Sequence, residues 1–445
     1  MAIRLTQFCA EVLAEPPKVP IRLTQFSAEI LAAYTPPVVP EALPGALDLL
    51  VHNWSSTVRV ETSFVTDVAD AAGSMAEDRR ALRARPTRQV EVRWSGLGPV
   101  VSARMMQAIV RLGGFRALLP LYPDVAPTTA ASSASTRVYC DPKDRRFFAG
   151  GRVALFEVDE NYHPTTVEYR TIGSVDSDGL IVNSAVTLTS KALVVPLIDV
   201  EIRLEQQVKH ATDEILDTDG LVFDEVIGPG ALPGATAPPA GLPAVGGLPV
   251  WDADHDWATG LLTRVVRGGE AVGSGRGLAL HLRGARPVLA FGWSALGLDR
   301  ANAWRLIQFF ESRRGRALAF WLAAPISVFG RWAAINAASV DFVPAGNAAD
   351  QAYAYKYLAI VLRDGTIHIR TITGVTDVAG PFRRVSVNVA WPVIDTAEIL
   401  RVTSAHLVRF AKDALTEDWV TNAVCRFEVE MVEVLAEGPT SFANL

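Results

Sequence analysis

Cysteine is scarce: Cys9, Cys140 and Cys425 are the only three among 445 residues, an odd number without close spacing. That pattern fits neither a zinc ribbon nor a disulfide framework, and it points to folding in a reducing cytoplasm. No apolar run reaches the roughly 18–20 residues that a membrane helix needs, so no membrane insertion is expected. The opening Met1-Ala2-Ile3-Arg4-Leu5-Thr6-Gln7 has no basic stretch leading into an apolar core and is not expected to act as a secretory signal. Charge is modest as well. A formal net charge of −6, with 20% charged residues, gives no general electrostatic reason to bind nucleic acid or an anionic membrane. Hydrophobic residues reach 49%, so a sizeable core is available and global disorder is not expected.

Catalytic motifs are missing too. The seven histidines (His52, His163, His210, His255, His281, His368 and His406) form no HExxH and no close pair, and read as packed or surface residues. There is no G-x-S-x-G elbow and no G-x-x-x-x-G-K-[ST] phosphate loop. Gly273-Ser-Gly-Arg-Gly277 lacks the strand-turn-helix setting of a dinucleotide fingerprint and reads as a loop tip. Asp252-Ala-Asp254-His-Asp256 alternates carboxylates as calcium loops do, but Trp257 stands where glycine is needed and the bidentate glutamate is absent. Carboxylate pairs for glycoside hydrolysis come together only in the fold, and nothing in the sequence favours particular ones. The pairs Arg79-Arg80, Arg145-Arg146, Arg313-Arg314 and Arg383-Arg384 read as solvated faces or subunit contacts. The expectation is a chain that is not an enzyme, without catalytic residues, cofactor or metal.

What the chain does have is repetition. Arg170-Thr-Ile-Gly-Ser-Val175 returns as Arg370-Thr-Ile-Thr-Gly-Val375, and Arg116-Ala-Leu118 as Arg316-Ala-Leu318, each 200 residues on. Asp213 matches Asp413 at the same offset. Trp94-Ser-Gly-Leu97 matches Trp293-Ser-Ala-Leu296, and His52-Asn-Trp54 matches His255-Asp-Trp257. Shared order with small shifts is what loop insertions leave in a duplicated domain. A shorter repeat opens the chain, Ile3–Ala14 and Ile21–Ala32, set between proline-rich spacers. Its alternation and its prolines favour extended strands, with Ile3, Leu5, Phe8, Ile21, Leu23 and Phe26 as candidate subunit-contact residues. Such an arm needs a sheet to join, either its own or a neighbour's.

The expected organisation is a duplicated arm over 1–42, a β-rich repeat domain over 43–226, a Pro/Gly-rich linker over 227–250 and a second β-rich domain over 251–445. The fold class is mostly β (α+β), with one main amphipathic helix per domain. Alternating or β-branched runs at Val58–Phe64, Gln89–Trp94, Val153–Val158, Thr166–Ile172, Ala359–Leu362, Thr366–Arg370, Arg384–Val389 and Cys425–Leu435 predict strands. Asp176-Ser-Asp-Gly179 and Arg363-Asp-Gly365 predict tight turns. Helices are expected from the capping residues Ser102 and Asp299, ending at Gly113-Gly114 and Gly315. The linker is expected to lack regular structure. The repeated tryptophans read as shared packing, and differences between the copies are expected in the loops Asp124–Arg137 and Ile326–Gln351.

The run from Ala303 to Leu322, a helix ending in Gly315-Arg316 and leading into the aromatic Phe320-Trp321, resembles tail-tip proteins of long-tailed bacteriophages. The strand pair from Asp364-Gly365 to Val375, the closing Phe427-Glu-Val-Glu430 strand and the repeated Arg-Leu-Thr-Gln-Phe-x-Ala-Glu arm resemble minor tail and baseplate proteins in the same way. The first copy departs from this pattern, with Arg116-Ala-Leu-Leu-Pro-Leu-Tyr122 where an aromatic strand is expected. The resemblance implies a structural part of the virion tail tip, made in the host cytoplasm. It would form or join rings between tail tube, hub and fibres as a homo-oligomer, either a trimer presenting six similar domains or a hexamer. Partners would be other tail proteins, a fibre or a host receptor. The alternative is a carbohydrate- or receptor-binding adhesion module of the virion, and behind it a hydrolase of a host surface polymer.

Overall fold

A computed structural model describes residues 56–434, apart from 71–76, 95–115 (of which 102 and 106 are described), 159–163, 204–207, 211–215, 219, 228–230, 254, 257, 273–278, 326–328, 344–354 and 379–381. All of them belong to one compact unit, Pro44–Leu445. The six arm residues Ile3, Leu5, Phe8, Ile21, Leu23 and Phe26 lie outside the described residues, as does most of the helix expected after Ser102. Ser102 and Met106 are themselves helical.

The chain is mostly strand. In the first half these are β1 (Val58–Ser63), β2 (Thr66–Asp70), β3 (Glu77–Ala81), β4 (Thr87–Val92), β5 (Arg116–Pro120), β6 (Ala126–Pro127), β7 (Ser132–Tyr139) and β8 (Arg152–Val158). They continue as β9 (Pro164–Asp176), β10 (Gly179–Leu188), β11 (Leu193–Ile202), β12 (Val208–His210), β13 (Leu216–Thr218) and β14 (Leu221–Glu225). The region expected to lack regular structure carries β15 (Ala244–Val245) and β16 (Leu248–Trp251). The second half holds β17 (Leu262–Val272), β18 (Ala279–Gly297), the helix α1 (Arg300–Arg313), β19 (Phe320–Ala323), β20 (Arg331–Asn336) and β21 (Ser339–Val343). It closes with β22 (Tyr357–Leu362), β23 (Ile367–Val378), β24 (Phe382–Val387), β25 (Ile399–Phe410), β26 (Ala414–Trp419) and β27 (Cys425–Glu433).

The ladders run in the same order in both halves. In the first, β1 pairs β4, β4 pairs β14, β14 pairs β11, and β11 pairs both β5 and β8. In the second, β17 pairs β18, β18 pairs β27, β27 pairs β25, and β25 pairs both β19 and β22. From there β8-β9-β10-β7 answers β22-β23-β24-β21. The repeated Arg-Thr-Ile segments occupy one geometry. Arg170 and Arg370 each donate to the preceding carbonyl, of Tyr169 and Ile369, at 2.8 and 3.0 Å. Thr171 N and Thr371 N donate to the side chains of Asn183 and Asn388 at 3.3 and 3.1 Å. Both long strands shift register just past the isoleucine, so each bends from one sheet into the next. The stretches expected as unmatched loops contain β7 and β21, which hold the same place in the two ladders. Backbone pairing aligns them although their side chains do not match, because ladder bonds carry no side-chain signature.

α1 forms because Ala303, Ile307 and Phe310 recur at helical spacing and are buried at 0–1% exposure. Asp299 caps it by accepting from Asn302 N at 2.8 Å, and Arg314, left-handed at φ 53°, ends it. Gly297, at the end of β18, lets the helix close in: a Cβ there would stand 2.9 Å from Ala303. Around α1, Trp251, Phe309, Phe310, Phe320 and Phe410 pack with ring centroids 4.8–6.3 Å apart. Phe64 of the first half reaches Phe310 at 6.1 Å, and one apolar core runs through both halves. Burying each phenylalanine contributes about 1.5–3 kcal/mol.

Candidate subunit interface

The two halves meet edge to edge. β1, the outermost strand of the first half's ladder, pairs β26 of the second over six residues, from Val58↔Trp419 to Ser63↔Ala414. On the inner face Val58, Val60, Thr62, Glu417 and Trp419 are fully buried. Glu417 anchors this face: it accepts from Arg146 at 2.6 and 2.9 Å, from Thr62 Oγ1 at 3.1 Å and from Trp419 Nε1 at 3.0 Å. Arg146 also meets the buried Asp124 at 3.3 Å, and Arg300, which pairs with Asp124, lies 4.5 Å above the Trp419 ring. Burial pushes the Arg300 guanidinium down to about 10, still protonated at neutral pH. On the outer face Arg59 donates to Asp418 at 2.8 Å, a bond that raises the pKa of Arg59.

Two further ties cross the same junction. Asp413, a repeated residue, accepts from Thr66 N and Oγ1 at 3.0 and 2.7 Å and from Arg316 N and Nε, both at 3.1 Å. Gly315, at φ +62°, makes room, since a Cβ there would sit 2.7 Å from the Asp413 carboxylate. So the repeated pair Arg316/Asp413 of the second half grips the chain just beyond β1 of the first. Arg88 of β4 donates to Glu311 of α1 at 2.7 Å and lies 3.5 Å from Glu225, with all three side chains at 1–2% exposure. Glu311 also accepts from Ala235 N at 2.8 Å, and Arg88 donates to the Leu232 and Pro233 carbonyls at 3.4 and 3.3 Å. The Pro/Gly-rich connection is thereby pinned along the seam. Burial raises the Glu225 carboxyl, and Arg88 opposes the shift.

β17 holds the place in the second half that β1 holds in the first. Among the described residues its ladder partner is β18 alone. Leu262 and Val265 are 57% and 61% exposed, whereas Val60 is fully covered. Arg264 pairs with Glu430 on β27. An open groove of about 470 Å³ runs beside this edge, lined among others by Leu262, Arg264, Trp293, Lys412, Glu428 and Glu430. Arg116, matched to Arg316 in sequence, opens β5 and reaches Glu201 on the adjacent strand at 3.5 Å, whereas Arg316 lies ahead of β19. The hairpin of β12 and β13 pairs only with itself among the described residues.

Several residues singled out in the sequence take other places. Arg146 and Arg313, expected on solvated faces or at subunit contacts, are buried at 5% and 8% exposure. Arg383 and Arg384 pair with Asp377 and Asp341. Asp252 pairs with Arg305, and Asp256 accepts from Ala258 N at 3.0 Å within its turn, so both serve local structure. His255 accepts from Ser294 N at 3.3 Å beside Trp293, and His406 lies between Ser404 and Glu433. Trp94 and Trp293 are both buried, as are Trp251, Trp391 and Trp419, while Trp54 and Trp257 lie outside the described residues. Burial pushes the Cys140 thiol up to about 12, which keeps it protonated and unreactive. Sequence reasoning missed Glu417, Arg88, Glu311 and Thr66. Their partners stand 76 to 355 residues away, and no local pattern marks such pairs. The chain matches no family model and no curated protein sequence.

Proposed function

We propose that the chain is a structural component of the tail tip or baseplate of a long-tailed bacteriophage, built from two copies of one β-rich domain and acting by forming or joining rings. The observation that carries this reading is the serial junction. Two halves with one ladder order are fused edge to edge, and among the described residues the strand that would receive the next half, β17, has no ladder beyond its own half. A unit with one used and one unused copy of the same edge adds further units head to tail, and such heterologous contacts close into rings or grow into filaments. The resemblance of Ala303–Leu322 and of the N-terminal repeat to tail-tip proteins supplies the setting, and the helix-then-strand order of α1 and β19 fits it. The largest buried charge cluster also favours an architectural role. Asp124, Glu417, Arg146 and Arg300 neutralise one another inside the seam, and Asp124 and Glu417 are at 0% exposure.

The test is placement in a particle. Antibody labelling and mass spectrometry of purified virions should find the protein at the tail tip, and deletion of its gene should leave particles without a completed tail. Absence from virions, or activity on bacterial envelope polymers that survives as the purified chain's main property, would overturn the reading.

A further inference from the structure

The junction between the halves is a template for a contact that the single chain leaves unmade. The register follows from repeated residues. Val58 pairs Val92, two residues before Trp94, and Thr263 pairs Phe291, two residues before the matching Trp293. Thr263, Arg264 and Val265 therefore stand where Val58, Arg59 and Val60 stand. On the other side, β12 pairs β13 from Val208↔Thr218 to His210↔Leu216 as β26 pairs the start of β27 from Thr416↔Glu428 to Asp418↔Arg426, so Val208, Lys209 and His210 stand where Thr416, Glu417 and Asp418 of β26 stand. β26 is the strand that covers β1 over six residues in the internal junction. In the second half this machinery is engaged. In the first, β12 has no ladder outside its own hairpin among the described residues.

We infer that the open edge of β17 receives β12 of a second copy of this chain, antiparallel and in the register β1 and β26 use, with Arg264 opposite His210 and Val265 opposite Lys209. The proposal rests on the ring-forming reading above and names the surfaces that make the ring. The ligand is a second copy because the complementary edge exists in this chain, and the contact continues an interface already built between its halves. Strand addition would cover the exposed Val265, which takes the inward place of Val60, and satisfy the backbone groups of an otherwise open edge. The contact is heterologous: first half to second half, never β17 to β17.

The full chain carrying Arg264→Cys and His210→Cys, with Cys9→Ser to remove a native thiol, is oxidised mildly and run without reductant. Linked species that climb by whole chains and stop at one size are expected. Arg59→Cys with Asp418→Cys, the template pair, should link within one chain and serves as the positive control. Wild type should sediment as a single closed oligomer, and Val265→Asp should abolish that species while leaving the thermal midpoint of the isolated chain unmoved. The inference is overturned by a monomer at high concentration, by a disulfide between the two substituted positions that forms only within one chain, or by Arg264→Cys alone linking chains pairwise. The two readings fail separately. A monomer that still localises to the tail tip sinks the edge contact alone, while a closed ring absent from virions sinks the tail assignment alone.

Discussion

β1 and β17 hold corresponding places in two ladders of one order, in two circumstances. Each is the outermost member of a ladder of the same order, and each carries an arginine at the corresponding place (Arg59 and Arg264). β1 is covered by β26, and its inward residues Val58, Val60 and Thr62 are buried over Glu417 and Arg146. β17 meets only β18 among the described residues, with Leu262 and Val265 more than half exposed. The difference teaches that edge burial in this chain depends on which neighbour is present and not on what the strand is made of. It also separates residues that hold one chain together from residues left for another.

The comparison breaks most sharply with matched substitutions. Val60→Asp places an unpaired charge in the covered edge and should destabilise by about 4 kcal/mol or more, enough to prevent folding. Val265→Asp, at the corresponding bare position, should stay within about 0.5 kcal/mol for the isolated chain. Urea unfolding of both variants decides it, and similar losses would mean that β17 is covered in solution. Next in size, Glu417→Ala strands Arg146 without its bidentate partner and should cost about 3–5 kcal/mol, read from the shift in denaturant midpoint. Replacing Asp413 by alanine removes the acceptor for Thr66 and Arg316, an expected loss of about 1–3 kcal/mol. Hydrogen exchange of β1 and β26 should rise selectively in that variant, whereas uniform protection would show that the grip is ornamental.

The smallest effect is a pH dependence with opposite signs at adjacent residues. Asp224 is held below the usual aspartate range by its hydrogen bond from Arg203, assisted by Gln89. Its contribution is full above the ordinary aspartate value and is lost as pH falls through the lower native one. Glu225 is displaced upward by burial, so its ionised form carries a penalty at neutral pH that disappears as pH falls through the raised native value towards the ordinary one. Asp224→Asn should therefore lower stability at neutral pH by only about 0.2–1 kcal/mol, given the exposure of the pair, and should make no difference in strong acid. Denaturant midpoints measured across the acid range test this; a loss that persists in strong acid would refute it.

Much of the fold was legible. The alternating runs at Val58–Phe64, Val153–Val158 and Cys425–Leu435 became β1, β8 and β27, and the Asp176–Gly179 and Arg363–Gly365 turns join β9 to β10 and β22 to β23. Asp299 capped a helix that ended before Gly315, as its capping chemistry dictates. The seam between the halves was not legible. Arg146 reads as one of many arginine pairs until Glu417, 271 residues on, closes over it. The Pro/Gly-rich connection reads as a free linker until Arg88 and Glu311 bind its backbone.

Local physics explains the division. Strand alternation, capping and turn chemistry act within a few residues, so the sequence by itself determined the mostly β class, the turns and the second-half helix, and it marked Arg316 and Asp413 by repetition. Which strand lies beside which, and which charges neutralise one another, depends on chain segments hundreds of residues apart meeting in three dimensions. Only the tertiary structure decided that β1 is covered, that β17 meets β18 alone among the described residues, and that Arg316 and Asp413 grip the other half, because ladder bonds and buried ion pairs are satisfied by position rather than by any pattern along the chain.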